Sequence, residues 1–536
     1  MTVESVRFPD RPDLSCDLVM KGGITSGAVY PGAVLKLQEH YRFESIGGAS
    51  AGAIAAAVTA AAEFGRRQNR KDGGGFERFS TLAEQLGESG FLRRLFAPRH
   101  VFRRQFEVLL AVATRKSPPV VVGQIVMLAL TRLKTWLMVL PAVVIGAAAL
   151  GADHSAAAIL LALLVLGGGA LAAIVLAICF EARRLWTQLG SSNGFGLCDG
   201  IALSQWVSDN IQGCAGLKSG RLLTFADLKR AHVELELVST DLSLGRPITL
   251  QLDGSVSYYF RFDELRGVLP EAVVRQLAES GTPSPLDETL TSVSALEMPI
   301  VMAARMSLSF PVLLAAVPLH TIDAGLVLDN YLSDGGISSN FPIHFFDAWL
   351  PGHPTFGLDL DKARRGPGPG VFMSPNGVSP RHTSIGGLTG FLGQILDSTM
   401  NWRDTLQSEL PGFRGRVCHV YIPDHLGGLN LDMTPAQLGS LDTLGAQAGE
   451  LIHATFDFDG HRMQRYELWM QQMQLNLARA EPPFDHFSQQ IPDAARAVET
   501  GKLIDLGASW GHGGRPSFNP SSLPRPIPTM RVVPRV

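Results

Sequence analysis

A strand-like run over Arg42 to Ile46 passes through Gly48-Ala49-Ser50-Ala51-Gly52 directly into an alanine-rich helical pattern, Ala51 to Phe64. A chain that changes from strand to helix within a few small residues must turn sharply, which lifts the central serine hydroxyl above the sheet edge. The first amides of the following helix have no intrahelical acceptor and carry the positive end of the helix dipole, so they face the same space. The GxSxG pattern carries little weight alone in a chain with 56 glycines. The strand before it and the helix after it supply the weight. The helix is expected to end at Gly65, where a polar, glycine-rich stretch begins and runs through Gly75.

Two further glycine-rich segments have chemistry to offer. Lys21-Gly22-Gly23-Ile24-Thr25-Ser26-Gly27 follows a short buried strand, Asp17 to Met20, and opens another helix. Glycines there let backbone amides converge, as an oxyanion requires. A phosphate cradle is the competing reading, but neither the GK[ST] ending nor the GxGxxG spacing is present. The other segment, Ser333-Asp334-Gly335-Gly336-Ile337-Ser338-Ser339-Asn340-Phe341-Pro342, puts an aspartate in a tight turn. Asp caps such turns by local hydrogen bonds, so taken alone the segment reads as a structural turn. A conventional triad would need a later histidine, and His344, His353, His419 and His425 are available. There is no HExxH, no Cys/His cluster and no DxDxDG loop, and Asp457-Phe458-Asp459-Gly460-His461 lacks further ligands, so no metal or other cofactor is expected.

The chain's apolar surplus is concentrated in two runs without a charge: Trp136 to Ala152, and Ala156 to Phe180. A helix needs about 20 apolar residues to cross a bilayer, with a working range of roughly 17 to 25. The two runs therefore predict a transmembrane hairpin over 136–152 and 156–180, turning at Asp153-His154-Ser155. Arg132 and Lys134 before it, and Arg183 and Arg184 after it, put both ends on the cytoplasmic side. Phe91 to Lys116 mixes arginines with Phe and Leu, which suits either an anionic membrane surface or an ordinary solvated helix. With 46 Lys+Arg against 49 Asp+Glu, the balance argues against a nucleic-acid partner. Five scattered cysteines suggest neither a disulfide framework nor a zinc site. The N-terminus lacks the basic region and apolar core of a secretory signal, so a reducing compartment is expected for the catalytic part.

Taken in order, these motifs resemble the patatin-like phospholipase family: a glycine-rich loop, a GxSxG serine and a DG[GA] aspartate. Ala28-Val29-Tyr30-Pro31-Gly32-Ala33-Val34-Leu35 resembles the family's helix after the loop. Ser239-Thr240-Asp241-Leu242-Ser243-Leu244-Gly245-Arg246-Pro247 is similar to its TDLxTG segment, and Ala303-Ala304-Arg305-Met306-Ser307-Leu308-Ser309-Phe310-Pro311 to its AARASxAxP segment. The resemblance implies Ser50 as nucleophile, Asp334 as its base and the backbone of Gly22, Gly23 and Ile24 as oxyanion hole, with Gly27, Gly48, Gly52, Gly335 and Gly336 supporting the motifs. The sequence departs from the family in the loop, usually GGGxRG or GGGxKG. Here Ile24 takes the third glycine's place and Ser26 that of the basic residue, with Lys21 a candidate substitute.

The expected fold is α/β, an α/β-hydrolase-related, mostly parallel sheet flanked by helices, carrying the inserted hairpin and a C-terminal helical region. The catalytic domain is expected over 14–64 and 195–360, a basic helical insertion over 76–116 and the membrane segment over 118–184. A strand and helical extension over 361–510 and a Pro-rich tail over 511–536 complete the chain. The implied activity is hydrolysis of acyl esters in membrane phospholipids or related lipids, by a protein integral to a membrane such as the bacterial inner one. A catalytically silent member binding lipid or a partner, and a non-lipid esterase or thioesterase, remain open alternatives.

Overall fold

The computed structural model describes residues 8–68, 74–113, 178–190, 194–218, 220–250, 256–363, 367–373, 387–408, 410–423, 425–487 and 493–509, with isolated positions at 148, 168, 175, 176, 385 and 490. Its centre is an 11-stranded sheet. The strands are β1 (Leu14–Met20), β2 (Tyr41–Ala49), β3 (Glu234–Asp241), β4 (Arg246–Thr249), β5 (Tyr259–Arg261), β6 (Leu290–Ser292), β7 (Val317–Asp323), β8 (Leu326–Asp334), β9 (Thr355–Lys362), β10 (Gly370–Phe372) and β11 (Val417–Ile422). They lie in the order β10-β11-β9-β1-β2-β3-β8-β7-β5-β6, with β4 paired to β3. Strands β11, β9, β1, β2 and β3 run parallel. Parallel strands are covered on both faces and so read as unbroken apolar runs, which is why β1 is buried from Cys16 through Met20.

The expectation of a mostly parallel sheet needs correcting: the sheet is mixed. Strands β4 to β8, and the edge strand β10, all pair antiparallel. The longest of these pairings is the β7–β8 hairpin, where Ala324 and Gly325 form a two-residue turn with φ of 48° and 79°. Positive φ at both turn positions matches the twist of a tight hairpin. The hairpin is hard to see in the sequence because Leu326 and Leu328 in β8 face outward, so its apolar alternation is broken.

Helices cover the sheet. These are α1 (Tyr30–Leu37), α2 (Ala51–Arg67), α3 (Gly75–Leu86), α4 (Phe91–Leu95), α5 (Arg103–Ala113), α6 (Ile201–Ala215), α7 (Ile300–Ser307), α8 (Gly387–Ser408), α9 (Pro435–Thr455), α10 (Phe458–Phe487) and α11 (Ala494–Ser509). Helix α2 runs two residues past Gly65 instead of ending there. A Cβ at Gly65 would lie 2.3 Å from the Cys214 carbonyl oxygen of α6, so this glycine serves helix packing, not termination.

The basic stretch after residue 91 turns its apolar side inward. Leu92, Leu95, Phe96, Phe102, Phe106 and Leu110 are buried in the main core. Arg93 pairs with Glu107 and with Asp432 (3.0 Å), and Arg94 with Glu88 (3.0 Å). The hairpin expected over 136–152 and 156–180 lies almost wholly outside the described residues, as does the tail over 511–536. Among the described residues no helix is long and apolar enough to cross a membrane.

Helix α9 belongs to the same core: Leu438, Leu441, Ala448 and Ile452 are buried in it. It crosses α1 at backbone contact, since a Cβ on Gly445 would lie 1.9 Å from the Val29 carbonyl oxygen, whereas one on Gly439 of the same helix would meet nothing within 4 Å. Gly445→Ala is therefore expected to lower the unfolding free energy by about 1–3 kcal/mol through overpacking. Gly439→Ala should instead be neutral or stabilising by up to about 1 kcal/mol through helix propensity. Urea unfolding of the two variants checks the contrast.

Candidate active site

Ser50 stands between the end of β2 and the start of α2, with φ 54° and ψ −127°. That conformation is costly for a residue with a Cβ, on the order of 1–3 kcal/mol, and persists only where its surroundings impose it. The Ser50 amide donates to Ser307 Oγ (3.0 Å) and its carbonyl accepts from Ala53 N (2.9 Å). The absence of a side chain at Gly52 is equally necessary, because a Cβ there would lie 2.2 Å from Met20 O and 2.7 Å from Lys21 O. The end of β1 thus presses on the first turn of α2, and the serine between them is turned out of the strand.

Asp334 ends β8 on the far side of β3. Its amide donates to Ser309 O (3.0 Å), and its carbonyl accepts from Thr240 Oγ1 (2.9 Å). In the side chain, Oδ1 accepts from Gly336 N (2.8 Å) and Oδ2 accepts from Ser50 Oγ (2.8 Å). Ser50 and Asp334, 284 positions apart in sequence, thus form a direct buried hydrogen bond. Burial pushes the Asp334 carboxyl up to about 7, with the bonds from Ser50 and Gly336 opposing the shift. Among the described residues, neither bonds a histidine. His344 is half-buried and pushed down to about 4, chiefly by its partial removal from water; His353 bonds Asp17, and His419 bonds Asp359.

The glycine-rich loop passes beside the serine, close enough that a Cβ on Gly22 would lie 3.0 Å from Ser50 Cβ. Gly22, expected as an amide donor, already gives its N–H to Asn340 O (2.7 Å). The amides of Gly23 and Ile24 have no acceptor among the described residues, whereas Thr25 N donates to Gly428 O (3.2 Å). The Ala51 amide, first in α2, has no acceptor inside its helix on general grounds. Lys21 does not stand in for the missing basic residue, because its Nζ is bound to Asp359 Oδ1 at 2.6 Å. Burial alone would lower the Lys21 ammonium, but the Asp359 carboxylate outweighs it and holds the lysine charged. Asp359, despite its burial, is held well below the carboxylate range by Lys21 and His419.

Ile24 and Ala51 also open the wall of an apolar cavity of about 90 Å³. Ile54, Phe79, Leu92 and Trp206 line it further in, so the stretch inserted after α2 builds part of the site. Sequence reasoning reached Ser50, Asp334 and the loop, but not Ser307, Asn340 or the cavity. For Ser307 a signal was present in the Ala303–Pro311 segment; its bond to the Ser50 amide required the fold.

The patatin-like phospholipase family model matches residues 18–116, which include the glycine-rich loop and Ser50. A protein of Rhizobium meliloti (strain 1021) described as "RpoH suppressor" is 32% identical over 643 aligned residues, covering 98% of this chain and 99% of that protein. Over nearly its whole length the chain is thus a relative of that protein, and its residues 18–116 form a patatin-like phospholipase domain. Among solved structures, VipD from Legionella pneumophila aligns with a TM-score of 0.30 and 13% identity, over 92% of this chain and 83% of that one.

Because Asp334 is held near 7 in the folded chain against 3.8 as its ordinary value, the folded state keeps a proton there that the unfolded state releases. Its ionisation therefore costs stability, starting as pH rises above about 4 and reaching its full extent above about 7. Asp334→Asn removes that cost while retaining an acceptor for Gly336. The variant should resist urea more than the natural protein, and its advantage should be larger at pH 8 than at pH 5.5.

Proposed function

We propose that this protein is a serine acyl hydrolase of lipids, with Ser50 as nucleophile and Asp334 as its base. The observation that carries this reading is the 2.8 Å hydrogen bond from Ser50 Oγ to Asp334 Oδ2, buried beside an apolar cavity. A serine hydroxyl is a poor nucleophile until a base takes its proton, and a carboxylate with its proton affinity raised toward neutrality is suited to do so. Attack of Oγ on an ester carbonyl passes the hydroxyl proton to Asp334 and builds negative charge on the carbonyl oxygen. The amides of Gly23, Ile24 and Ala51 are the donors offered to that oxygen, in the manner of an oxyanion hole. Asp334 then returns the proton to the leaving alcohol, and water repeats the sequence on the acyl-enzyme, releasing fatty acid and regenerating Ser50. No metal is needed for any of these steps.

The apolar cavity would receive the acyl chain, which favours a lipid ester over a small polar one. The uncharged runs over 136–152 and 156–180 would hold the site at its substrate, with the catalytic part on the cytoplasmic face of the membrane. Val175, Leu176, Ile178 and Phe180, in the second run, are helical and between 38% and 62% exposed, which supports a lipid environment for that stretch.

Fatty-acid release from phospholipid vesicles tests the reading. Ser50→Ala and Asp334→Asn should each lower release about a thousandfold or more, with no dependence on added metal. The natural protein's kcat/KM should rise with pH through a limb centred near 7, as Asp334 becomes ionised and able to accept the proton. Release surviving in Ser50→Ala overturns the nucleophile. Absence of release by the natural protein across several lipids and short-chain esters would instead mark a silent, lipid-binding member.

A further inference from the structure

Asn340 lies between the two halves of the site. Its carbonyl accepts the Gly22 amide of the glycine-rich loop at 2.7 Å. Its side-chain Oδ1 occupies space that a Cβ would need at Gly22 (2.1 Å) and at Gly336 (2.7 Å), the residue whose amide binds Asp334. Asn340 is thus a strut between the loop beside Ser50 and the turn that carries the acid. A strut must be fixed at its own position to set either neighbour, and here the fixing comes from a helix remote in sequence.

Asp404, in α8, is 2% exposed. Its Oδ2 accepts the amides of Asn340 (2.5 Å) and Phe341 (2.8 Å), and its Oδ1 accepts from Ser339 Oγ (3.4 Å). One turn earlier on α8, Asn401 Oδ1 accepts from Asn340 Nδ2 (3.0 Å). Backbone and side chain of Asn340 are therefore both gripped by one helix face. Two adjacent amides on a single carboxylate oxygen form a charge-assisted pair, shorter and more directional than neutral bonds. A buried carboxylate is expensive without such partners, so its presence at this helix contact asks for a reason beyond packing.

We propose that Asp404 is a positioning residue for the acyl-transfer site: by clamping the Asn340 and Phe341 amides it sets where Gly22, and the amides of Gly23 and Ile24 that follow it, stand relative to Ser50 Oγ. The proposal rests on the reading of the site as a hydrolase, but the clamp itself has consequences that can be read without turnover. An oxyanion donor acts only if it is held at the right distance before the reaction, so a loosened loop loses transition-state stabilisation while the apolar cavity still binds the acyl chain. Asp404 touches no reacting atom in this scheme and acts only through Asn340.

Two measurements on the full chain test this: hydrolysis of p-nitrophenyl butyrate, and hydrogen-exchange mass spectrometry of the peptide covering residues 20–28. Asp404→Ala should lower kcat at least about tenfold with KM within about twofold. It should also speed exchange in 20–28 while leaving β3 and α6 protected. Asp404→Asn keeps an oxygen able to accept both amides and should recover most of kcat and most of the protection. Unchanged exchange over 20–28 in Asp404→Ala overturns the proposal. So does exchange accelerated throughout the sheet in both variants, which would mark Asp404 as a general stability residue. If the natural protein hydrolyses no ester, the hydrolase reading falls, and the exchange measurement alone decides whether the clamp exists.

Discussion

A carboxylate almost wholly removed from water, with one amide and one hydroxyl to bond, is the constraint on which this structure turns. Asp334 would prefer to hold a proton in that setting, and its location is what gives it any use as a base beside Ser50. Everything around it serves to keep the pair together: β3 and β8 align their backbones, Ser309 and Thr240 grip the Asp334 main chain, and Ser307 holds the Ser50 amide. The same burial that gives the pair its proton affinity makes ionised Asp334 a cost to folding. A neutral residue would serve stability better at that position.

The Lys21–Asp359 pair beside the glycine-rich loop is handled differently. Lys21 and Asp359 are also largely shielded from water, but each meets the other directly, so the ion pair keeps both groups ionised. Such a pair anchors the end of β1 just before the glycine-rich loop and is held away from proton exchange. Asp334 meets no cation among the described residues. Asp359 and Asp334 thus differ, one locked in its charged form and the other poised near neutrality, according to whether a cation is in contact.

The C-terminal third of the described chain wraps this arrangement. Helix α9 seats against α1 through a glycine contact, and α8 reaches the Ser339–Phe341 segment through Asp404 and Asn401. Helices α3 and α4 close the cavity from another side. Segments outside the core motifs therefore complete the site, by supplying its apolar wall and by bracing the loop that faces the serine.

How much of this could be read from the amino acids alone follows from the range of the interactions involved. Local chemistry is legible: Gly48-Ala49-Ser50-Ala51-Gly52 between a strand and a helix pattern reads as a tight turn, the run Asp17 to Met20 reads as a buried strand, and an aspartate before two glycines marks a turn. The motif order then paired Ser50 with Asp334 by resemblance, and the fold brings them to 2.8 Å. What stayed hidden depends on contacts between residues far apart in the chain. The Gly22 amide looks like an oxyanion donor until Asn340, more than 300 positions later, accepts it; Lys21 looks like a free cation until Asp359 meets it; Gly65 looks like a helix end until α6 packs on it. The sequence by itself determined which groups could do chemistry, because that is a property of residue type and local backbone. Only the tertiary structure decided which were left free to do it, because hydrogen-bond and charge partners are assigned by the packing of the whole sheet.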